Sequence, residues 1–124
     1  MSEEEKTYTV VEANALLPFL APTLVELREK FEAAQDARAS VARAATGNGW
    51  SAKRERWSAT MARVEELIER LQEWGVELRD VNTGLVDFPG LVADEPVYLC
   101  WRLGEPEVAY YHPRDGGFSG RRKL

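Results

Sequence analysis

The sequence predicts an α+β protein in which a long antiparallel helical hairpin is followed by a small antiparallel β-meander and an irregular C-terminal tail. Two apolar seams with alternating steps of four and three residues predict the helices. From residue 76 onwards, short runs of alternating apolar and polar residues predict strands. A chain of 124 residues suits one domain, which we divide into a hairpin at about 9–75, a β-unit at about 76–112 and a tail at 113–124.

The composition narrows the class of protein. Hydrophobic residues make up 44% of the chain and charged residues 30%, as in ordinary globular proteins. A net charge of −5 argues against a surface that binds nucleic acid or anionic membrane as a whole. Cys100 is the sole cysteine, so no disulfide can form within the chain and a reducing compartment is expected. The acidic start and the lack of an apolar run of about 18 residues predict neither a secretory signal nor a membrane-spanning helix, so we expect a cytoplasmic protein.

The first helix is predicted to begin at the motif Thr9-Val10-Val11-Glu12, which has the pattern of a capping box. Its apolar seam comprises Leu16, Leu20, Leu24, Leu27, Phe31, Ala34, Val41 and Ala45, with Arg38 in the one polar slot. Pro18 and Pro22 each remove a backbone donor and crowd the preceding turn. We therefore expect a first segment near 9–17, then a bend or break, and then a long helix over about 22–45.

The second helix is predicted to follow the turn Thr46-Gly47-Asn48-Gly49, with Ser51 as its N-cap. Its seam comprises Trp57, Met61, Val64, Ile68 and Leu71. Gly75 stands where a C-cap glycine belongs. Two seams joined by a short loop predict an antiparallel pair. Because two helices alone leave apolar surface uncovered, we expect a homo-oligomer, most simply a dimer.

Four strands are predicted in the β-unit. They cover Val76–Asp80, Leu85–Phe88, Pro96–Arg102 and Glu107–His112. Pro89-Gly90 is expected to end the second strand and Pro113 the fourth. The last two strands form a hairpin around the turn at 103–106. The segment 114–124 carries three glycines and no apolar run, so we expect an irregular tail that Phe118 could pin to the body.

Nucleophilic catalysis lacks a convincing set of residues. Cys100 would need a base within reach, and His112 is the only histidine that could serve, so we expect Cys100 to be structural. Metal binding stays open, because His112 and Asp115 at a strand exit, with Asp87 nearby, could hold a divalent ion. The spacing matches no dedicated zinc motif, and acidic residues at turns are usually just solvated.

Phosphate or nucleic-acid binding has two candidate carriers. The glycine-rich tail ends in Arg121-Arg122-Lys123, whose guanidinium groups can bind phosphate, although no P-loop motif is present. The hairpin tip, residues 37–57, has five basic side chains and one acidic side chain in an otherwise acidic protein. Its basic residues are Arg38, Arg43, Lys53, Arg54 and Arg56. These side chains could neutralise phosphates, and the alternative is a solubilising surface.

Five segments of the chain are distinctive. They are Tyr8–Pro18, Gly84–Pro89, Val97–Pro106, Tyr111-His112 and Gly117–Arg122. Together they resemble a bacterial family known as domain of unknown function 2203, and the similarity spans nearly the whole chain. The resemblance implies a bacterial, cytoplasmic, single-domain protein, and it brings no reaction, cofactor or catalytic residue with it.

Four polar residues inside these segments form the candidate polar site: Asp87, Arg102, Glu105 and His112. The leading hypothesis is a non-enzymatic interaction module that self-associates through its helices and binds a protein partner through the β-unit. The first alternative is a divalent-metal site on the β-unit, which would allow enzymatic activity. The second is binding of nucleic acid or phosphate through the hairpin tip or the tail.

Overall fold

A computed structural model describes residues 6–43 and 49–124 and confirms the predicted α+β fold. Two helices come first, and an antiparallel sheet follows them. The elements are α1 (Val10–Arg43), α2 (Trp50–Trp74), β1 (Glu77–Asp80), β2 (Leu85–Val92), β3 (Glu95–Arg102), β4 (Tyr110–Pro113), a short 3-10 helix (Phe118–Gly120) and β5 (Arg122–Lys123). The strand order is β1-β2-β3-β4-β5, so each strand lies beside its neighbour in sequence.

The start of α1 has the predicted capping box. The Thr9 amide donates to Glu12 Oε1 at 2.9 Å, and the Glu12 amide donates to Thr9 Oγ1 at 3.1 Å. Of the expected bend or break after residue 17, the break is wrong, because α1 runs through Pro18 and Pro22 without ending. The bend stays a prediction. The opposite side of the helix is buried in the core, and this packing outweighs the hydrogen bonds that the two prolines cannot make.

The helices form the predicted antiparallel pair. Arg63 on α2 donates through Nε and Nη2 to both carboxylate oxygens of Glu26 on α1, at 2.7 and 2.8 Å. This hydrogen bonding by Arg63 lowers the pKa of the Glu26 carboxyl. Nearer the sheet, Arg70 on α2 lies beside Thr23 on α1. Residues therefore pair in opposite chain directions along the hairpin.

Two details of α2 differ from the prediction. Ile68 is 37% exposed and Leu67 is fully buried, because the core-facing stripe of α2 runs through Val64, Leu67 and Leu71. Gly49 is the N-cap instead of Ser51, and its φ of 85° is a left-handed value that glycine adopts readily. The predicted turn at 46–48 and Ala45 lie outside the described residues.

The predicted C-cap of α2 is confirmed. Gly75 has a φ of 72°, and its amide donates to the Gln72 carbonyl at 2.9 Å. The following amide, that of Val76, donates to the Leu71 carbonyl at 3.0 Å, which completes a Schellman motif. The chain therefore leaves α2 in a fixed direction and enters β1 two residues later.

The second strand continues beyond its predicted end at Pro89. The backbone nitrogen and the carbonyl oxygen of Pro89 point to the same side of β2. The carbonyl oxygen accepts the Tyr8 amide at 2.7 Å. The donor that proline lacks therefore falls on the side that faces Tyr8, away from the β3 ladder. At Gly90, a Cβ would come within 2.9 Å of Leu99 and 3.0 Å of the Tyr8 carbonyl oxygen, so only glycine allows this close approach.

The C-terminal tail is more regular than predicted. It forms a 3-10 turn and then β5, which pairs with β4 through Tyr110 and Lys123 and through Tyr111 and Arg122. The Leu124 amide donates to the Ala109 carbonyl at 2.8 Å. Backbone hydrogen bonds add the last strand to the sheet. Because its side chains are exposed, the sequence has no apolar pattern that would predict this strand. The fourth strand also differs from its predicted range Glu107–His112, because β4 begins at Tyr110 and includes Pro113.

The two faces of the sheet have different roles. Apolar side chains on one face, including Val86, Phe88, Leu99 and Trp101, share the core with the helices. Because side chains alternate along a strand, the intervening residues point to the opposite face, which we call the open face.

By length and composition α1 could span a membrane, contrary to the expectation from its sequence. Its apolar side packs in the core, and core helices pass the same test.

Candidate functional site

Three buried polar residues meet on the open face. Asp87 on β2, Cys100 on β3 and His112 on β4 come from the three central strands, and each is at most 3% exposed. Asp87 stands directly opposite Cys100, while His112 stands opposite Tyr98. One ligand atom from each of the three side chains lies within 4.8 Å of the other two. Asp87 and His112 of the predicted polar site therefore do converge, and Cys100 joins them.

Both nitrogens of His112 face oxygen atoms. Nδ1 lies 2.8 Å from the carbonyl oxygen of Pro113, and Nε2 lies 2.9 Å from Oδ1 of Asp87. A carbonyl oxygen can only accept, so Nδ1 carries a hydrogen and donates it. The ring is therefore fixed in orientation, with Nε2 aimed at the carboxylate.

A layer of arginine and tyrosine covers this cluster. Arg79 on β1 donates from Nε to Oδ2 of Asp87 at 2.8 Å, and from Nη2 to Glu77 at 2.8 Å. The hydrogen bond to Asp87 raises the pKa of the Arg79 guanidinium. The ring of Tyr98 lies against His112, with the guanidinium of Arg79 5.0 Å from its centroid and that of Arg114 4.4 Å from it. These contacts keep water from the buried carboxylate.

Cys100 is not an activated nucleophile. Burial, followed by the negative charge of Asp87, raises the pKa of its thiol to about 11, although Arg121 acts in the opposite direction. A catalytic cysteine needs the reverse shift, so that the thiolate forms near neutral pH. The expectation that Cys100 does not act as a nucleophile agrees with this environment.

The other two members of the predicted polar site lie outside the cluster, with Arg102 at the end of β3 and Glu105 in the turn that follows. Glu105 accepts the backbone amide of Arg102 at 2.7 Å and the guanidinium of Arg121 at 2.5 Å. The guanidinium of Arg121 stacks on Tyr110 at 4.1 Å and on Phe118 at 4.7 Å. Arg102 packs its guanidinium over Phe118 as well, at 5.5 Å. Glu105 therefore holds the tail against the open face, and Phe118 takes part in that contact.

The metal-ligand set predicted from the sequence is only partly brought together. Asp115 is exposed and is not part of the cluster that Asp87 and His112 form. Two residues of the cluster were missed: Cys100 as a third donor, and Arg79 as the cation beside Asp87. The register that places Asp87 opposite Cys100 is the signal that would have found the thiol.

The candidate phosphate-binding residues lie in two separate places. Arg121 is engaged with Glu105, whereas Arg122 and Lys123 are exposed in β5. Arg43, Lys53, Arg54 and Arg56 lie at the far end of the hairpin, where Arg54 covers the ring of Trp50 at 5.2 Å. From Lys53 to the end of α2 is roughly 30 Å at the rise of an α-helix. The basic tip therefore adds nothing to the cluster on the open face.

The comparisons with known proteins identify a family that covers nearly the whole chain. A family model described as an uncharacterized conserved protein, DUF2203, matches residues 6–124. No curated protein and no solved structure matches the chain. The matched range includes both helices, all five strands and every residue of the cluster on the open face. The chain therefore belongs to the DUF2203 family.

Proposed function

We propose that the protein binds a divalent metal ion of the zinc class through Asp87, Cys100 and His112. The observation that carries this proposal is the environment of His112. Its Nδ1 donates to the Pro113 carbonyl, so in the neutral ring Nε2 presents a lone pair to the carboxylate of Asp87. Two lone pairs that face each other at 2.9 Å need a positive species that both can bind. A proton fits this distance, and a zinc ion takes its place when the two ligand atoms move apart to their tetrahedral separation of roughly 3.3 Å.

The surrounding contacts favour a metal ion over a proton. Metal-binding histidines usually donate their second ring N–H to a carbonyl or carboxylate, as His112 does to Pro113. Arg79 fixes the remaining oxygen of Asp87, which leaves Oδ1 to face the histidine. A simple ion pair between Asp87 and His112 would not require a sulfur donor beside it, whereas Cys100 supplies one.

The mixture of donors indicates the class of metal. Sulfur, nitrogen and oxygen ligands together suit Zn²⁺ and similar ions, while Mg²⁺ and Ca²⁺ prefer oxygen alone. A bound zinc ion deprotonates a coordinating thiol, so the raised pKa of Cys100 in the metal-free protein does not prevent ligation. A single unpaired cysteine is typical of proteins in a reducing compartment, so we also propose a cytoplasmic location.

The position of the three ligands suggests what the ion would do. They lie on β2, β3 and β4, so one ion would tie together the three central strands. Three protein ligands leave one position of a tetrahedral zinc ion without a protein ligand. Because the three ligand residues are buried beneath Arg79 and Tyr98, we propose a metal centre that stabilises the sheet and does not bind a substrate.

Thermal unfolding of the chelator-treated protein tests the proposal. Zn²⁺ at about 100 times its dissociation constant should stabilise the fold by about 2.7 kcal/mol, which corresponds to a rise in Tm of roughly 10 °C. Co²⁺ should produce an intense thiolate-to-cobalt absorption band. That band can come only from Cys100, because it is the sole cysteine. The His112→Ala variant should lose the rise in Tm, and Cys100→Ser should lose the absorption band.

Asp115→Asn is the matched control, since Asp115 is a nearby acid that lies outside the cluster. This variant should keep both signals. If neither Zn²⁺ nor Co²⁺ raises the Tm of the unmodified protein, the pair of Asp87 and His112 is bridged by a proton and the metal proposal fails. If Asp115→Asn alone removes the signals, the ligand set is wrong.

A further inference from the structure

The C-terminal segment 115–124, which we call the strap, lies on the surface with little buried apolar area. Within it, β5 pairs with β4 at two positions, and the Leu124 amide adds a hydrogen bond to the Ala109 carbonyl at 2.8 Å. Most residues of the strap are exposed, including Phe118 at 43% and Leu124 at 45%. Segments of this kind open at a lower cost in free energy than the core of a protein.

Arg121 differs from the rest of the strap, because its side chain is largely buried against the open face. Its Nη2 donates to Oε1 of Glu105 at 2.5 Å, and these two side chains are only 13% and 16% exposed. Its guanidinium lies 4.1 Å from the ring centroid of Tyr110, which stands opposite Cys100 in the sheet. The same Nη2 lies 3.4 Å from the Cys100 carbonyl oxygen. Arg121 is therefore the part of the strap that lies beside the buried thiol.

We propose that the strap covers Cys100, that Arg121 holds it closed, and that it opens while the rest of the sheet stays folded. Glu105 lies in the turn after β3, outside the strap, so its ion pair with Arg121 joins the strap to the body of the protein. Access of any solute to the Cys100 thiol then depends on the fraction of molecules in which the strap is open. The same holds for entry of a metal ion, and this part alone rests on the proposed function.

The closed position leaves one polar group of Arg121 unsatisfied. Its Nε is buried and has no hydrogen-bond partner among the residues that the structure describes. A buried donor without a partner costs free energy, and water can bind it once the strap opens. The ion pair with Glu105 and the stacking on Tyr110 act in the opposite direction. Closure therefore depends on contacts around one side chain, which a single substitution can weaken.

Alkylation of Cys100 by iodoacetamide in the chelator-treated full chain tests the proposal. When the strap closes faster than the reagent reacts, the rate follows the open fraction. Glu105→Gln keeps an acceptor for the Arg102 amide but removes the charge that holds Arg121, so the rate should rise roughly tenfold. The charge of Arg121 lowers the pKa of the Cys100 thiol, so its departure alone would slow the reaction.

Arg122→Ala is the matched control, because Arg122 is the neighbouring arginine of the strap, is exposed, and stands opposite Tyr111. This variant should leave the alkylation rate unchanged to within about twofold. If it speeds the reaction as much as Glu105→Gln does, the assignment of Arg121 as the closing contact is wrong.

Urea separates opening of the strap from unfolding of the whole chain. The dependence of a rate on urea scales with the surface that is exposed. Alkylation through the strap should therefore change little at urea concentrations well below the unfolding transition. A rate that rises as steeply with urea as global unfolding would overturn the proposal, as would equal rates for Glu105→Gln and the unmodified protein. Because the protein is free of metal in these measurements, the result does not depend on whether Zn²⁺ binds.

Discussion

Asp87 is the residue on which the open face depends. It is buried, and a buried carboxylate is costly unless charged or donating groups surround it. Arg79 reaches it from β1 and His112 from β4, so the strands on both sides of the β2–β3 pair contribute a partner. Replacing either partner therefore affects folding as well as any ligand, and metal-dependent shifts in Tm must be compared with each variant's own metal-free Tm.

The thiol of Cys100 should be nearly inert in the folded protein. Its pKa is raised from 9.0 to about 11 by burial, so at pH 8 the thiolate fraction is roughly a hundredfold smaller than in the unfolded chain. Alkylation by iodoacetamide, followed by mass spectrometry, should be at least that much slower in buffer than in urea. Because the chain has one cysteine, the signal is unambiguous. Equal rates in the two conditions would show that the thiol is exposed.

At the scale of elements, the capping box of α1 gives a prediction about pH. The backbone hydrogen bond from Thr9, and then its side chain, lower the pKa of Glu12 below the ordinary 4.5. A lowered pKa in the folded state means that the charged form adds stability above about pH 4.5 and that this contribution is lost as the pH falls below it. Glu12→Gln should therefore have a lower Tm than the unmodified protein at pH 7.

The same comparison at pH 3 is the control for the capping box. The difference in Tm between Glu12→Gln and the unmodified protein should shrink there, because protonation of Glu12 removes part of the charge that stabilises the cap. A difference that stays constant between pH 7 and pH 3 would mean that the charge of Glu12 contributes nothing to the cap.

The face of α2 that packs in the core can be tested with two adjacent leucine-sized residues. Leu67 is fully buried, whereas Ile68 is 37% exposed. Leu67→Ala should cost about 2–5 kcal/mol of unfolding free energy, and Ile68→Ala less than about 1.5 kcal/mol. Urea denaturation measures both. Equal losses of unfolding free energy, or a larger loss at Ile68, would mean that Ile68 packs in the core, as the sequence pattern predicts.

The helices were the most predictable elements, apart from their interruptions. A capping box and a C-cap glycine depend on contacts within a few residues, so Thr9, Glu12 and Gly75 are correctly interpreted from the sequence alone. Proline misled the prediction twice, at Pro18 and at Pro89. In each case, the surrounding tertiary contacts accommodate the donor that proline lacks, and those contacts are not visible in the local sequence.

At the scale of the whole molecule, the site was less predictable than the fold. Asp87 and His112 were selected because they lie in the segments that resemble the family, but their partners depend on strand register. The strand β2 pairs with β1 on one side and with β3 on the other. This pairing places Arg79 and Cys100 beside Asp87. Asp115 is close to His112 in sequence, yet it lies outside the cluster, because the strand has ended.

The order of the strands also bears on how the protein is made. Because each strand pairs with its neighbour in sequence, the hairpins of the sheet can form in the order in which they leave the ribosome. Tyr8 is the exception, since it emerges early and must wait for Pro89 and Gly90 before it can bind the sheet. At the other end, Leu124 reaches Ala109 only after β4 and β5 have been synthesised. The edge strand β5 is therefore the last of the described strands that can join the sheet.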